Sequence, residues 1–239
     1  MPDYATVTAD YTRLMGKHFT PGRGGRKIRY IVRHHNAGIS TTDDTWQTWQ
    51  ARQASAHYQI EVSGRVGQLV NDWDTAWANG NQAANQDSIT IEHSNNGGAA
   101  QDWPISDATI EAGAKWAAAL CLFYKLGRPQ HGVNIRDHRD FYGTACPYHL
   151  AKGGKYHDRW MRIAQEHYDA LSGATKPKTP GGPVTLPVDR DIRAQLTGSP
   201  NDNEYPGFEF LGGRTTADAL GAIGAALKIP GFRDPKAGK

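Results

Sequence analysis

Up to about Leu171 the chain alternates between stretches whose apolar positions recur every second residue and stretches where they recur every third or fourth. Residues 26–35 (RKIRYIVRHH) set Ile28, Tyr30 and Val32 in alternation with Arg29, Ile31 and Arg33, which predicts a strand. Residues 41–53 predict a helix, with Asp43 and Asp44 favourably placed in its first turn. HYQIEV (57–62) and RVGQLV (65–70) flank Ser63-Gly64, a two-residue turn signal, and so predict a β-hairpin. SITIEHS (88–94) predicts another strand. Residues 106–127 form the best helix: Ser106 can cap it, Gly127 can end it and Pro129 prevents its return. Its stripe of Ile110, Gly113, Ala114, Ala117, Ala118, Cys121 and Tyr124 places Cys121 in the core as a buried thiol. A short strand at 132–138 and a closing helix at 156–171 complete an α/β pattern.

The periodicity then stops. Residues 173–189 carry Pro177, Pro180, Pro183 and Pro187, which remove backbone donors and fix φ, so this stretch predicts an extended, semi-rigid linker. The predicted organisation is a main domain over 1–172, the linker, and a small module over 190–239 that is too short for a good core of its own. That module holds one helix pattern, 215–229, with Ala217, Leu220, Ile223, Ala226 and Leu227 at helical spacing.

Composition narrows the class. The chain has 239 residues, of which 38% are hydrophobic and 21% charged, with a mean hydropathy of -0.65. The longest apolar run, at 116–124, falls far short of the roughly 18 residues of a membrane helix, so no membrane insertion is expected. Asp3 and Asp10 interrupt the region where a secretory signal would place its apolar stretch. Two cysteines exclude a multi-disulfide scaffold and a four-cysteine zinc site. A net charge of +3 gives no case for nucleic acid.

Ten histidines remain to be explained. His34 and His35 lie where the first predicted strand runs out, His138 where the strand at 132–138 runs out, and Cys146 follows in DHRDFYGTACPYH. Two imidazoles and a thiolate make a good zinc set, and three protein ligands leave a fourth position open, as catalysis requires. The spacing fits no short metal signature. Two other readings stand beside it: ordinary polar residues at loop mouths, or Cys146 and His138 as nucleophile and base. Chemistry alone leaves these open.

The blocks YIVRHHNAG, ASAHYQIEVSGRVGQLV, DTAWANGN, SITIEHSNN and DHRDFYGTACPY, in this order over about 25–170, resemble the type-2 N-acetylmuramoyl-L-alanine amidases. That family groups phage amidase endolysins with peptidoglycan recognition proteins. The resemblance implies a central mixed β-sheet flanked by helices, and Zn2+ held by His34, His138 and Cys146. His35 then faces the other side of its strand, because successive strand residues alternate. It further implies Glu92 as the catalytic glutamate and Thr144 as a donor to the reacting carbonyl. Trp77, Asn79 and Asn95 read either as sugar or peptide contacts or as plain loop residues. Two positions depart from the family pattern: Ala56 stands where many relatives have Tyr, and Ala78 where many have His.

The implied reaction is hydrolysis of the amide between N-acetylmuramic acid and L-alanine in bacterial peptidoglycan. Non-catalytic recognition of the same polymer is the alternative within the family, and a cysteine peptidase of the stem peptide is the alternative outside it. A cell-wall substrate without a visible signal suggests a phage or prophage lysin, made in the host cytoplasm and released through a holin pore. The tail resembles C-terminal segments of lysins from phages of actinobacteria, which suggests wall binding, with self-association as the competing role. Its nine basic against seven acidic residues from 173 onward exclude nonspecific charge attraction as the main term. The sequence leaves the oligomeric state open.

Overall fold

The structure, a computed structural model, describes residues 2–173 and 216–227. The chain divides into two units, Met1–Pro177 and Lys178–Lys239, each described by itself. In the first unit the strands are β1 (Tyr11–Thr12), β2 (Phe19–Thr20), β3 (Tyr30–His35), β4 (Tyr58–Ile60), β5 (Val66–Gln68), β6 (Thr75–Ala76), β7 (Ser88–His93) and β8 (Ile135–Asp137). The helices are α1 (Thr42–Ala51), α2 (Gln82–Asp87), α3 (Asp107–Phe123) and α4 (His157–Leu171). Six strands form one sheet in the order β1-β5-β4-β7-β3-β8, and β2 pairs separately with β6. β4, β7, β3 and β8 run parallel, while β4 and β5 form the antiparallel hairpin. The architecture is the α/β arrangement with a central mixed sheet flanked by helices.

Strand alternation sorts the side chains into two faces. Ile31, Tyr58, Ile60, Ile89, Ile91 and Ile135 share one face and form the main core with Ala114, Trp116, Ala117, Leu120 and Cys121 of α3 and Trp160 of α4. The small residues of α3 let its backbone lie close to the sheet. Val32, His34, Gln59, Thr90 and Glu92 alternate onto the opposite face. There α1 covers part of the sheet, with Thr45 Oγ1 donating to Gln59 Oε1 at 3.0 Å. The α1 N-terminus is a capping box: Thr41 Oγ1 accepts from Asp44 N, and the Asp44 carboxylate accepts from Thr41 N.

Several predicted bounds move, each for a local reason. β3 starts at Tyr30, after a turn in which Gly24 and Gly25 adopt φ of 58° and 77° and Arg26 N bonds to Arg23 O. The strand expected over 132–138 shrinks to Ile135–Asp137, since Val133 N and Asn134 N both bond to Gln130 O in a preceding turn. α3 is capped by Ser106 as expected, but ends before Gly127 in a Schellman motif. Leu126 N donates to Cys121 O and Lys125 N to Leu122 O, with Lys125 taking φ 55°. β1, β2 and β6 are two residues each, too short to leave a period in the sequence. In the second unit the described element is α5 (Thr216–Ala226), which exposes Leu220 and Ile223, with Leu227 exposed just beyond it. The predicted linker beyond Gly173 and most of 190–239 lie outside the described residues. Among the described residues no helix is long and apolar enough to cross a membrane.

Gly113 of α3 is where helix and sheet approach most tightly at the site's back. A Cβ there would lie 2.2 Å from His93 Nε2, 2.6 Å from its Cδ2 and 3.4 Å from Trp160 Nε1. His93 has nowhere to go: its Nδ1 bonds to His34 O at 2.9 Å and Trp160 Nε1 donates to its Nε2 at 3.2 Å. Gly113→Ala is expected to cost about 1–3 kcal/mol in chemical denaturation through overpacking, although alanine is the better helix former by roughly 1 kcal/mol.

Candidate active site

The carboxyl ends of parallel strands gather the polar residues, the usual place for a site in such sheets. In register across the sheet, Gln59 of β4 faces Glu92 of β7, and Glu92 faces His34 of β3. β8 ends at Asp137, so His138 emerges beside His34, with ring centroids 4.4 Å apart. The loop after His138 returns along the site, tied by Arg139 N to Cys146 O at 3.1 Å. It carries Cys146 back to β3, where His35 N donates to Cys146 Sγ at 3.4 Å.

One ligand atom each from His34, His138 and Cys146 lies within 4.8 Å of the others. Cys146 Sγ is 3.8 Å from His34 Nδ1. Zinc bonds of about 2.0 Å to nitrogen and 2.3 Å to sulfur at a tetrahedral angle put such a pair roughly 3.6 Å apart. His34 Nε2 bonds to Asn79 Oδ1 at 3.0 Å, which fixes the tautomer and leaves Nδ1 as the ring nitrogen able to bind a metal. His138 Nε2 and Glu92 Oε2 are buried without hydrogen-bond partners among the described residues. Burial holds His34 well below the usual histidine range, with the nearby His138 adding to it, and burial also lowers His138. Both rings are therefore in the neutral form that ligates. A nitrogen–sulfur set of this kind fits zinc and does not suit calcium or magnesium.

Glu92 sits beside this set, its Oε1 3.9 Å from His34 Nδ1, with the side chain 12% exposed. Burial pushes its carboxyl up to about 7, with the Arg52 charge acting in the opposite direction. Cys146 fits the nucleophile reading poorly: burial first, then the Glu92 charge, drives its thiol upward, whereas a nucleophilic cysteine needs a lowered value. Thr144 Oγ1 accepts from Cys146 N at 3.2 Å, so its proton stays available to a substrate oxygen.

The three expected substrate contacts separate. Trp77 is 38% exposed, its Nε1 bonded to Thr20 Oγ1 at 2.9 Å. Asn79 and Asn95 are fully buried and offer no surface to sugar or peptide. Asn79 instead orients His34 and donates from Nδ2 to Ser88 Oγ at 3.0 Å, while Asn95 Nδ2 donates to Trp103 O at 3.0 Å. In the sequence both read as loop asparagines, and only chain packing reveals their burial. His35 points away from the site, packing edge-on to Trp103 and stacked on Tyr148.

The sequence profile described as N-acetylmuramoyl-L-alanine amidase matches residues 24–149, more than half of the chain. The chain belongs to this amidase family. Solved structures of three other proteins share the fold of the amidase, each at 18% identity. PlyL aligns with a TM-score of 0.53 over 66% of this chain and 97% of its own. The Staphylococcus aureus hydrolase AmiA, solved in complex with its ligand, aligns at 0.57 over 70% and 86%. The PlyG catalytic domain aligns at 0.50 over 72% and 98%. No curated protein sequence matches the chain.

Two residues that the sequence did not single out pack against the candidate site. His93 holds the His34 carbonyl from below, and burial keeps it neutral, at about 4. Tyr142, 57% exposed, lies with its ring 6.0 Å from that of His138 and packs over Gly80, where a Cβ would come within 2.6 Å of it. The one sequence signal for His93 was its place next to Glu92. An exposed tyrosine in a loop gave none.

Proposed function

We propose that the amidase hydrolyses the bond between N-acetylmuramic acid and L-alanine in bacterial peptidoglycan as a zinc-dependent endolysin of a phage or prophage. The observation that carries this reading is the convergence of His34, His138 and Cys146 with Glu92 alongside, in a chain of this family. When bound by those three residues, Zn2+ supplies a Lewis acid for the scissile carbonyl and lowers the pKa of water towards about 7.

The chain's own residues do the rest. Glu92 takes the proton of the attacking water and delivers it to the leaving amine of L-alanine, a two-way task suited to a carboxyl near neutrality. The Thr144 hydroxyl donates to the carbonyl oxygen as negative charge builds there. Asn79 holds the His34 ring so that Nδ1 faces the site. Exposed Trp77 offers an apolar face to the glycan or peptide. We assign catalysis to 1–172 and wall binding to 190–239, joined through 173–189. The lysin is made in the host cytoplasm and reaches the wall after holin-mediated release.

Digestion of purified peptidoglycan with and without a chelator, followed by mass spectrometry of the new ends, tests the reading. The expected products are free lactyl groups on muramic acid and intact L-alanine N-termini, lost on chelation and restored by Zn2+. Chelator-resistant cuts inside the stem peptide would establish a peptidase instead, and retained binding without cleavage a recognition protein.

A further inference from the structure

We infer that the buried Arg33–Asp137 ion pair is a positioning device that sets the register of the two histidine ligands, an inference that rests on the zinc reading above. Each member immediately precedes a ligand: Arg33 before His34, and Asp137 before His138. The two are direct partners across β3 and β8. Because side chains alternate along a strand, the pair lies on the core face of the sheet, directly beneath the histidines.

The pair is tightly built. Arg33 Nε and Nη2 both donate to Asp137 Oδ1, at 2.9 and 2.6 Å, with side chains 0% and 2% exposed. Asp137 Oδ2 is held by His131 Nε2 at 3.0 Å and Lys152 N at 3.4 Å. The guanidinium lies 4.7 Å over the Trp160 ring, with Nη2 3.2 Å from His157 Nδ1. Trp160 in turn donates to His93, which holds the His34 carbonyl. One connected network therefore joins the Arg33–Asp137 pair to the backbone of β3 at His34.

Stability does not account for this arrangement. A buried ion pair recovers little beyond its desolvation cost, and an apolar pair of similar volume is often as good or better. The surrounding sheet face uses that apolar solution, with Ile31, Ile89, Ile91 and Ile135. What an ion pair adds is register, the best-attested use of buried charge. β8 needs it, being a three-residue edge strand paired only with β3 within the sheet. A slip of one residue would turn Asp137 towards the site and His138 away from it, whereas a metal site tolerates only about 0.5 Å of ligand displacement.

The test uses the full chain with both charges replaced by apolar residues, Arg33→Met with Asp137→Leu. Two quantities are measured: the thermal midpoint of the metal-free protein and the Zn2+ affinity by competition with a chromophoric chelator. The expected result is a midpoint close to wild type with Zn2+ affinity lowered roughly 10–100-fold, as when a partner of a metal ligand is lost. A folded double variant that binds Zn2+ as tightly as wild type overturns the inference. Arg33→Lys, which keeps the charge but not the two-pronged fork, gives the same readout if the double variant does not fold. Weaker Zn2+ binding by that variant supports the positioning role, and unchanged binding overturns it. If the wild-type protein itself takes up no Zn2+, the zinc reading fails and the inference falls with it; equal binding by wild type and variant sinks the inference alone.

Discussion

Glu92→Gln is expected to lower kcat roughly 10²–10⁴-fold, the usual contribution of a positioned acid–base group, while leaving zinc content and fold intact. Glutamine keeps the volume of the side chain and its place between Gln59 and His34 in the sheet register, but it cannot accept a proton. The carboxyl is well suited to the task, since burial brings it to about 7 and Oε2 has no partner among the described residues to compete for the proton. The same burial makes the charged form costly to the folded protein. The neutral variant is therefore expected to melt no lower than wild type, so lost turnover with retained stability separates a chemical role from a structural one. Turnover of soluble muropeptide and thermal melting measure the two effects, and a variant with the wild-type rate would remove Glu92 from the mechanism.

Cys146→Ser is expected to abolish both zinc binding and hydrolysis. A serine hydroxyl does not ionise near neutral pH, so the site loses its anionic ligand and is left with two neutral imidazoles. Losing a partner of a ligand costs roughly 10–100-fold in metal affinity, and losing the ligand itself exceeds that. Little else should change, because Cys146 is half-buried on a loop, its backbone bond to Arg139 does not involve the side chain, and a serine hydroxyl is also an acceptor for His35 N. Metal content after gel filtration and amide hydrolysis check the prediction together. Stoichiometric zinc in the serine variant would show that residue 146 is not a ligand. Hydrolysis lost while zinc is retained would return Cys146 to consideration as a nucleophile.

Much of the framework can be read from residue order. The 57–70 hairpin, the Ser106 cap, the burial of Cys121 and the strand that carries Glu92 each follow from short-range rules of period, capping and turn chemistry. Element ends moved where backbone bonding overrode the expected stop. Lys125 ends α3 in a conformation usually left to glycine, because the carbonyls of Cys121 and Leu122 gain their missing donors there.

By itself the sequence determined the alternation that sends His34 to one face and Arg33 to the other, the order of β3, α1, β4, β5, β7, α3, β8 and α4, and the residue types able to ligate zinc. The tertiary structure decided which of those residues meet. Asn79 is 45 positions from His34, and Cys146 is 112 positions away. Each contact depends on packing summed over several elements, which no local period encodes. The roles of Asn79, His93 and the Arg33–Asp137 pair emerged only there, because a buried polar side chain takes its meaning from the partner that satisfies it.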